Sequence, residues 1–342
     1  MTKKILLIGL RYHNYTAAIV DELRAQGHEV SFHDIQPRDL LMKTLRVTAR
    51  NWYRRRIDAH HRHILAAEKG KRYGMVLFIL VHQMALPTLE ALKRDQSGAE
   101  FVLYNWDSIG NHDYRASLPL FDRVYTFDPQ DAEAQGIGYL PLFCIRSFLG
   151  LPRREQHRKA IYFVGNIVSI QRYRAIQAFK TYCQQQGIVF HSFLACTPYV
   201  MTLLLRAGHW PGDVSIRSIA HARFIDMIET SVAVFDFANH KQSGYTMRTI
   251  ENLCAGKKII TGNPGIKAEP FYSDDRILVF DGLDFSEVKS FLNRPVLEPE
   301  ADFSQFHLPN FVARLVQDSA QTQVLSHAPA AATARPVKQA VR

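Results

Sequence analysis

At 342 residues, 47% of them hydrophobic and 22% charged, the chain has a globular composition and is too long for one ordinary core, so two domains are expected. Its formal charge of +10 points to an anionic partner, and no apolar run reaches the roughly 18 residues that span a bilayer. Cys144, Cys183, Cys196 and Cys254 are far apart and form no C-x-x-C, so they read as reduced thiols, not as a zinc site or a disulfide frame.

The apolar run after Met1-Thr2-Lys3-Lys4 is too short for a signal peptide and reads as a first strand, Lys4–Ile8. Helical spacing follows over His13–Gln26, with Gly27 just past its end, and then a strand over Glu29–His33. A β-loop-α-β opening of this kind begins a doubly wound fold. The first loop has one glycine and is no dinucleotide fingerprint. Residues 38–70 read as helical, with Leu41, Leu45, Trp52, Ile57 and Ile64 on an apolar face and cations on the other. Within 43–72 stand ten Lys or Arg against two acids. Trp52-Tyr53 adjoin Arg54–Arg56, a combination that suits an anionic membrane surface. A solvated helical face is the plainer account. RNA is the competing polyanion, but no recognisable RNA-binding motif is present. His60, His61 and His63 lack carboxylate partners and read as part of a solvated basic helix, not as metal ligands.

Met75–Val81, Glu100–Tyr104, Asp122–Phe127 and Tyr139–Leu142 read as further strands, with a helix over Thr88–Arg94. Residues 149–159 have linker composition. The rhythm then restarts: strand Ala160–Val164, turn Gly165-Asn166, helix Ser169–Gln186, strand Val189–Leu194, helix Ile219–Glu229, strand Val232–Phe237. A helix in the segment from Gln242, strand Lys258–Thr261 and strand Ile277–Val279 follow. The expected organisation is a first domain over 1–150, a second over 158–324 and a disordered tail over 325–342.

The segment from Gln242 to Thr261 carries the most chemistry. Gln242, Ser243, Gly244 and Thr246 crowd a helix start, whose N–H groups and partial positive charge suit a phosphate. Arg248 adds a planar charged fork, and Glu251 is placed to reach ribose hydroxyls. A surface ion pair at i, i+3 is the plainer account of those two. Gly165 and Asn166 sit between strand and helix, where a glycine lets backbone approach phosphate. Asp236 ends a strand and can hold Arg248, a sugar hydroxyl or only its own loop. Trp106-Asp107 follow another strand end, and an aromatic face beside a carboxylate suits a sugar, as it also suits an N-cap beside a core Trp.

The run Glu251-Asn252-Leu253-Cys254-Ala255-Gly256-Lys257-Lys258-Ile259-Ile260 resembles the donor-binding element of GT-B glycosyltransferases, E-x-x-A-x-G-x-P-V-[IV]. The longer string to Asn263 is similar to bacterial lipopolysaccharide and exopolysaccharide biosynthesis proteins of the CgeB-like type. The larger retaining family has a second Glu eight residues upstream of the first; Ser243 stands there in this chain, so inverting and retaining outcomes stay open.

The resemblance implies an α/β GT-B protein, two Rossmann-like doubly wound domains facing a cleft. It implies a glycosyltransferase that uses a nucleotide-sugar donor and a lipid-linked or saccharide acceptor. Gly165, Asn166, Asp236, Gln242, Gly244, Thr246, Arg248 and Glu251 would hold the donor. Asp107, or His13 in the first βα loop, would be the base. No cofactor and no metal is expected, because such folds stabilise the leaving diphosphate with helix dipoles and cations. The expected place is the cytoplasm, with peripheral attachment to the inner face of the plasma membrane through the basic segment. A nucleotide-sugar epimerase of the same plan, and a non-catalytic polyanion- or membrane-binding protein, are the alternatives.

Overall fold

The computed structural model describes residues 2–12, 14–37, 42, 49–151, 159–210, 212–237, 244–297 and 302–317. In the first half, β1 (Lys4–Gly9), β2 (Glu29–Asp34), β3 (Met75–Ile79), β4 (Glu100–Asn105), β5 (Arg123–Thr126) and β6 (Gly138–Tyr139) form one parallel sheet. Its order is β2-β1-β3-β4-β5-β6. The helices α1 (Tyr15–Ala25), α2 (Arg50–Glu68), α3 (Leu86–Asp95) and α4 (Pro129–Gln135) cross between these strands. Every residue of β3 is buried, as expected of a parallel strand covered on both faces.

The second half repeats the plan. Its strands are β7 (Ala160–Asn166), β8 (Val189–Ala195), β9 (Val214–Ser215), β10 (Ala233–Asp236), β11 (Lys258–Thr261) and β12 (Ile277–Val279). The order β12-β11-β10-β7-β8-β9 puts a reversal of strand order between β7 and β10. Helices α5 (Ile170–Gln186), α6 (Pro198–Arg206), α7 (His221–Glu229), α8 (Met247–Cys254) and α9 (Val288–Asn293) complete it. The aromatic core of this sheet centres on Phe235, whose ring stacks on that of Phe179 at 3.9 Å.

The last helix among the described residues, α10 (Leu308–Val316), leaves the second half and packs on the first. Phe311 lies with its ring centroid 4.4 Å from Phe143 and 4.8 Å from Tyr104. Lys3 Nζ and Arg123 Nη2 donate to the carbonyls of Val316 and Leu315, both at 3.0 Å, so two cations cap the end of the helix dipole.

Four expectations change. The strand read over Tyr139–Leu142 is the two-residue β6, Gly138–Tyr139, and Leu140 and Leu142 are buried beyond it without strand pairing. The strand read over Met75–Val81 stops at Ile79, because Leu80 takes a positive φ of 68° that no strand continues through. The apolar face read over 38–70 divides: Ile57 and Ile64 are core, whereas Trp52 is 63% exposed with the Arg55 guanidinium over its ring. Leu41 and Leu45 lie outside the described residues, as do Lys43, Arg46 and the segment 325–342. His61 is buried and His60 half-buried, and they bond the carbonyls of Ile35 and Asp34 at 2.8 and 2.7 Å, tying α2 to the end of β2. Glu68 closes that helix in a buried knot with His33 (2.6 Å), Lys71 (3.1 Å) and Tyr73. Burial opposes its charge, but the hydrogen bonds from Tyr73, His33 and Lys71 outweigh it and hold the carboxyl below its ordinary value.

Phe311 fills space between the last helix and the first sheet, so Phe311→Ala is expected to cost about 3–5 kcal/mol. The readout is a lower urea midpoint at unchanged slope. A wild-type midpoint would mean that the first half does not depend on this helix.

Candidate functional site

The reversal between β7 and β10 is where an open α/β sheet takes its ligand. Asp236 ends β10 there and is 2% exposed. It accepts from Arg248 Nη1 at 3.0 Å and from Thr249 Oγ1 at 3.0 Å, with Thr246 Oγ1 at 3.3 Å. Thr246 is also the N-cap of α8 and accepts from the Thr249 N–H. The buried carboxylate therefore fixes the start of α8 over the strand ends.

Arg248 spans the crevice. One arm pairs with Asp236 on β10 and the other donates to the Val164 carbonyl on β7, while the guanidinium lies 5.1 Å from the Phe163 ring. A Cβ on Gly165 would stand 2.9 Å from Phe163 Cζ and 3.2 Å from Arg248 Nη2, so only glycine leaves room for this crossing. Asn166 is exposed at the tip of β7. Beside it opens a cavity of about 300 Å³ whose lining includes Ile167, Cys196, Thr197, Val200 and Ile216.

A second guanidinium stands at the same place. Arg172 belongs to the first turn of α5, whose N-cap Ser169 accepts from the Arg172 N–H at 3.2 Å. Its guanidinium lies 5.7 Å from the same Phe163 ring, and its buried Nε has no hydrogen-bond partner. Burial first, and the charge of Arg248 second, pull Arg172 down to about 10. Two guanidiniums from the first turns of two helices thus stand against one ring, and Arg248 alone of the two pairs with a carboxylate, which leaves excess positive charge.

Glu251, one turn into α8, is 3% exposed and accepts from Tyr15 Oη of the first half at 2.5 Å. Burial pushes its carboxyl up to about 8, against the hydrogen bond from Tyr15 and the charge of Arg248. Gly244 also faces the first half: its N–H donates to Asp128 Oδ2 at 3.2 Å, and a Cβ there would stand 2.7 Å from the Phe127 carbonyl. Its N–H therefore closes the two halves together and is not turned to the crevice. Thr246 likewise spends its hydroxyl on Asp236 and the cap. Of the sugar-hydroxyl and Arg248 roles open to Asp236, the structure shows the second. His13 and Gln242 lie outside the described residues.

The first-half wall comes from the loops after β1 and β4. Tyr12 stacks on Tyr15 and meets Trp106 edge-on, each with centroids 6.1 Å apart. Burial raises the Tyr12 hydroxyl above its ordinary value, and Arg248, Glu251 and Asp107 all act on it electrostatically. Asp107 is partly exposed and accepts from Asn111 Nδ2 at 2.7 Å and the Ser108 N–H at 3.1 Å, with His112 Nε2 at 3.5 Å from its other oxygen. His112 stacks flat on His82, centroids 3.9 Å apart. Burial, then the neighbouring His112, lowers His82 to about 4, so His82 is uncharged at neutral pH. Among the described residues no group of three or more His, Cys, Asp or Glu side chains could hold a metal ion.

Arg172, Tyr12, Tyr15, His82 and His112 were not among the residues singled out from sequence. For Arg172 a signal existed: it sits three residues after an N-cap Ser in the helix that follows Gly165.

No family profile and no curated protein matches the sequence. Solved structures do. Anabaena Alr3699/HepE in complex with UDP-glucose is similar at 12% identity and a TM-score of 0.59, over 92% of this chain and 98% of that one. The catalytic domain of starch synthase IV from Arabidopsis thaliana, bound to ADP and acarbose, is 9% identical at a TM-score of 0.56, over 93% and 96%. An alpha-glucosyltransferase in complex with UDP and DNA is 10% identical at 0.56, over 94% and 97%. At such identities the likeness is one of fold. The fold is GT-B: two Rossmann-like domains face each other across the crevice just described.

Between the ordinary 4.5 and about 8, folded Glu251 holds a proton that the unfolded chain has released. Its contribution to stability is therefore greatest below the unfolded value and falls as pH rises towards 8. Glu251→Gln is expected to remove a decline on the order of a few kcal/mol between about pH 5 and pH 8. Urea titrations across that range test this; parallel profiles for the two proteins would refute it.

Proposed function

We propose that this protein is a glycosyltransferase of the CgeB-like type. It moves a sugar from a nucleotide-sugar donor to a lipid-linked or saccharide acceptor in bacterial surface-polysaccharide assembly. The observation that carries the reading is the pair of guanidiniums at the reversal of strand order, Arg172 and Arg248 against the same Phe163 ring, of which Arg248 alone is paired with Asp236. A diphosphate supplies the charge this arrangement lacks. That nucleoside diphosphates or a UDP-sugar occupy three similarly folded proteins supports the ligand class. The cavity beside Asn166 takes the base, and Glu251 takes the ribose after exchanging its bond with Tyr15.

In transfer, an acceptor hydroxyl attacks the anomeric carbon and the bond to the diphosphate breaks. Arg172, Arg248 and the starts of α5 and α8 stabilise the charge on the leaving diphosphate. The acceptor proton passes to Asp107 in the opposite wall, with His13 as the other candidate base. Tyr12 and Trp106 offer ring faces to sugar C–H groups. Closing the halves excludes water, which would otherwise hydrolyse the donor. The protein works in the cytoplasm, and the exposed cations of α2 (Arg50, Arg54, Arg55, Arg62) with Trp52 hold it beside an anionic inner membrane face. Because Ile57 and Ile64 are core, attachment through α2 is mainly electrostatic and salt-sensitive.

A thermal-shift panel of UDP-, GDP-, dTDP- and CMP-sugars names the nucleotide. Arg248→Ala and Arg172→Ala are each expected to weaken that nucleotide by about 1.5–3 kcal/mol, ten- to a hundredfold, in calorimetric titration. Donor affinity unchanged in both would remove the assignment. Asp107→Asn is expected to keep donor affinity and lose transfer by about 10²–10⁴-fold. Normal turnover would move the base elsewhere.

A further inference from the structure

The first sheet has a reversal of strand order of its own, between β1 and β3. Ligands of open α/β sheets sit outside the strand ends at such a point. The loops after β3 and β4 are both rigid there. Leu80, just past β3, is the only non-glycine with a positive φ among the described residues, a conformation unfavourable for a side chain that carries a Cβ. Its N–H donates to the Tyr104 carbonyl on β4 at 3.2 Å. Val81 and Met84 are core residues, and the Met84 N–H closes a turn on the Val81 carbonyl at 2.9 Å. Between these anchors stand the half-buried His82 and Gln83, and His82 Nδ1 and Gln83 Oε1 are buried atoms with no hydrogen-bond partner. In the loop after β4, Asn105 Nδ2 donates to the Asp107 carbonyl at 2.7 Å. The Asn111 and His112 N–H groups both reach the Ser108 carbonyl at 3.0 Å, and the Ile109 N–H reaches Asp131 Oδ2 at 2.7 Å. The two loops meet in the flat stack of His82 on His112.

Asp107 is already occupied. Its Oδ1 accepts from the Ser108 N–H and from Asn111 Nδ2, and His112 Nε2 stands 3.5 Å from its Oδ2. An ionised carboxylate only accepts, so the ring nitrogen facing it carries the hydrogen and the other, Nδ1, keeps the lone pair. The His112 side chain is 47% exposed against 29% for Asp107, so the imidazole is the more accessible of the two. Burial keeps His82 uncharged at neutral pH, and the stack therefore does not repel a proton arriving on His112. Tyr12 feels the charges of both Asp107 and Arg248, which puts this pair on the wall opposite the guanidiniums.

We propose that His112 is a catalytic residue that takes the acceptor proton together with Asp107. The acceptor hydroxyl gives its proton to His112 Nδ1, its oxygen bonds the anomeric carbon, and the bond from that carbon to the diphosphate breaks. Asp107 orients the ring through Nε2, and carboxylate and imidazole hold the proton as one unit. His82 is a positioning residue that fixes the plane of the His112 ring. The proposal rests on the glycosyltransferase reading of the crevice and supplies the route by which the proton reaches Asp107.

The test uses the full chain and the UDP-, GDP-, dTDP- or CMP-sugar that most raises its melting temperature. Release of the nucleotide is followed with water, methyl glucosides or methyl galactosides as acceptor. His112→Ala, at an exposed site, is expected to lower kcat about 10²–10⁴-fold with the donor KM unchanged, and added imidazole to restore part of the loss. The double variant Asp107→Asn/His112→Ala is expected to be no slower than the slower single variant, as for two groups acting as a unit. His82→Phe, which keeps a flat ring, is expected to retain more turnover than His82→Ala. Wild-type kcat in His112→Ala overturns the proposal and leaves the donor site standing. Loss in Asp107→Asn with His112→Ala unaffected returns the proton to the carboxylate alone. No melting shift from any sugar nucleotide removes the glycosyltransferase reading and this proposal together. A shift without nucleotide release by wild type keeps the donor site and overturns the catalytic role.

Discussion

The second domain is organised around one buried charge. A carboxylate at 2% exposure is costly to bury without partners, and Asp236 has three: Arg248, Thr249 and Thr246. All three belong to the first turn of α8 or its cap, so satisfying the carboxylate sets the height and rotation of that helix. The same bond aims Arg248 across to the Val164 carbonyl, and the missing side chain of Gly165 makes the passage possible. Breaking the pair by removing the carboxylate would leave Arg248 without its anion beside Arg172, whose guanidinium lies against the same ring. Removing Arg248 would strand the carboxylate instead. The arrangement therefore holds the crevice in shape before any ligand arrives, which is the economy of a preorganised electrostatic site.

The first domain meets this helix from the other side. Tyr15 bonds Glu251, Asp128 bonds the Gly244 N–H, and Phe127 lies where a larger residue at 244 would have to go. The segment from Gly244 to Cys254 is thus contacted by both domains, and its sequence answers to both. Asn252 illustrates the inward side: its amide bonds Tyr162 Oη at 2.7 Å and the Arg248 carbonyl at 2.8 Å, locking α8 to β7 from below.

Much of this was legible in the sequence where the signal was local. The βα rhythm located most strands to within a residue or two, and Arg248, Glu251 and Gly165 were recognisable because one segment and one turn carry them. What depended on distant partners was not legible. Tyr15 is 236 positions from Glu251, and Arg172 matters only because the strand order brings β7 beside β10. The two-residue strand β9 is too short to show alternation, and β6 was read too long because the apolar run to Leu142 continues past the last paired residue, Tyr139. The helix α6 went unread because its apolar residues occupy the exposed side as well as the buried one, so no face stood out. In α2 the spacing was helical, but whether Trp52 joins Ile57 and Ile64 inside is decided by the shape of the sheet beneath, not by period. Asp128-Pro129 did carry a start signal for α4, since the Asp side chain accepts from the Gln130 N–H at 3.0 Å.

Among the described residues the return of α10 makes the chain cross between the domains twice, once after Leu151 and again before Ser304. A single tether permits two bodies to swivel, twist and separate. Two tethers leave one easy motion, rotation about the line joining them, while twist and separation strain covalent chain. Opening of the crevice is thereby channelled into a jaw-like swing, and the opposing walls meet in the same register at every closure. The same topology makes neither domain a free-standing module: a cut after the first sheet would leave the seat of Phe311, formed by Tyr104 and Phe143, open to water.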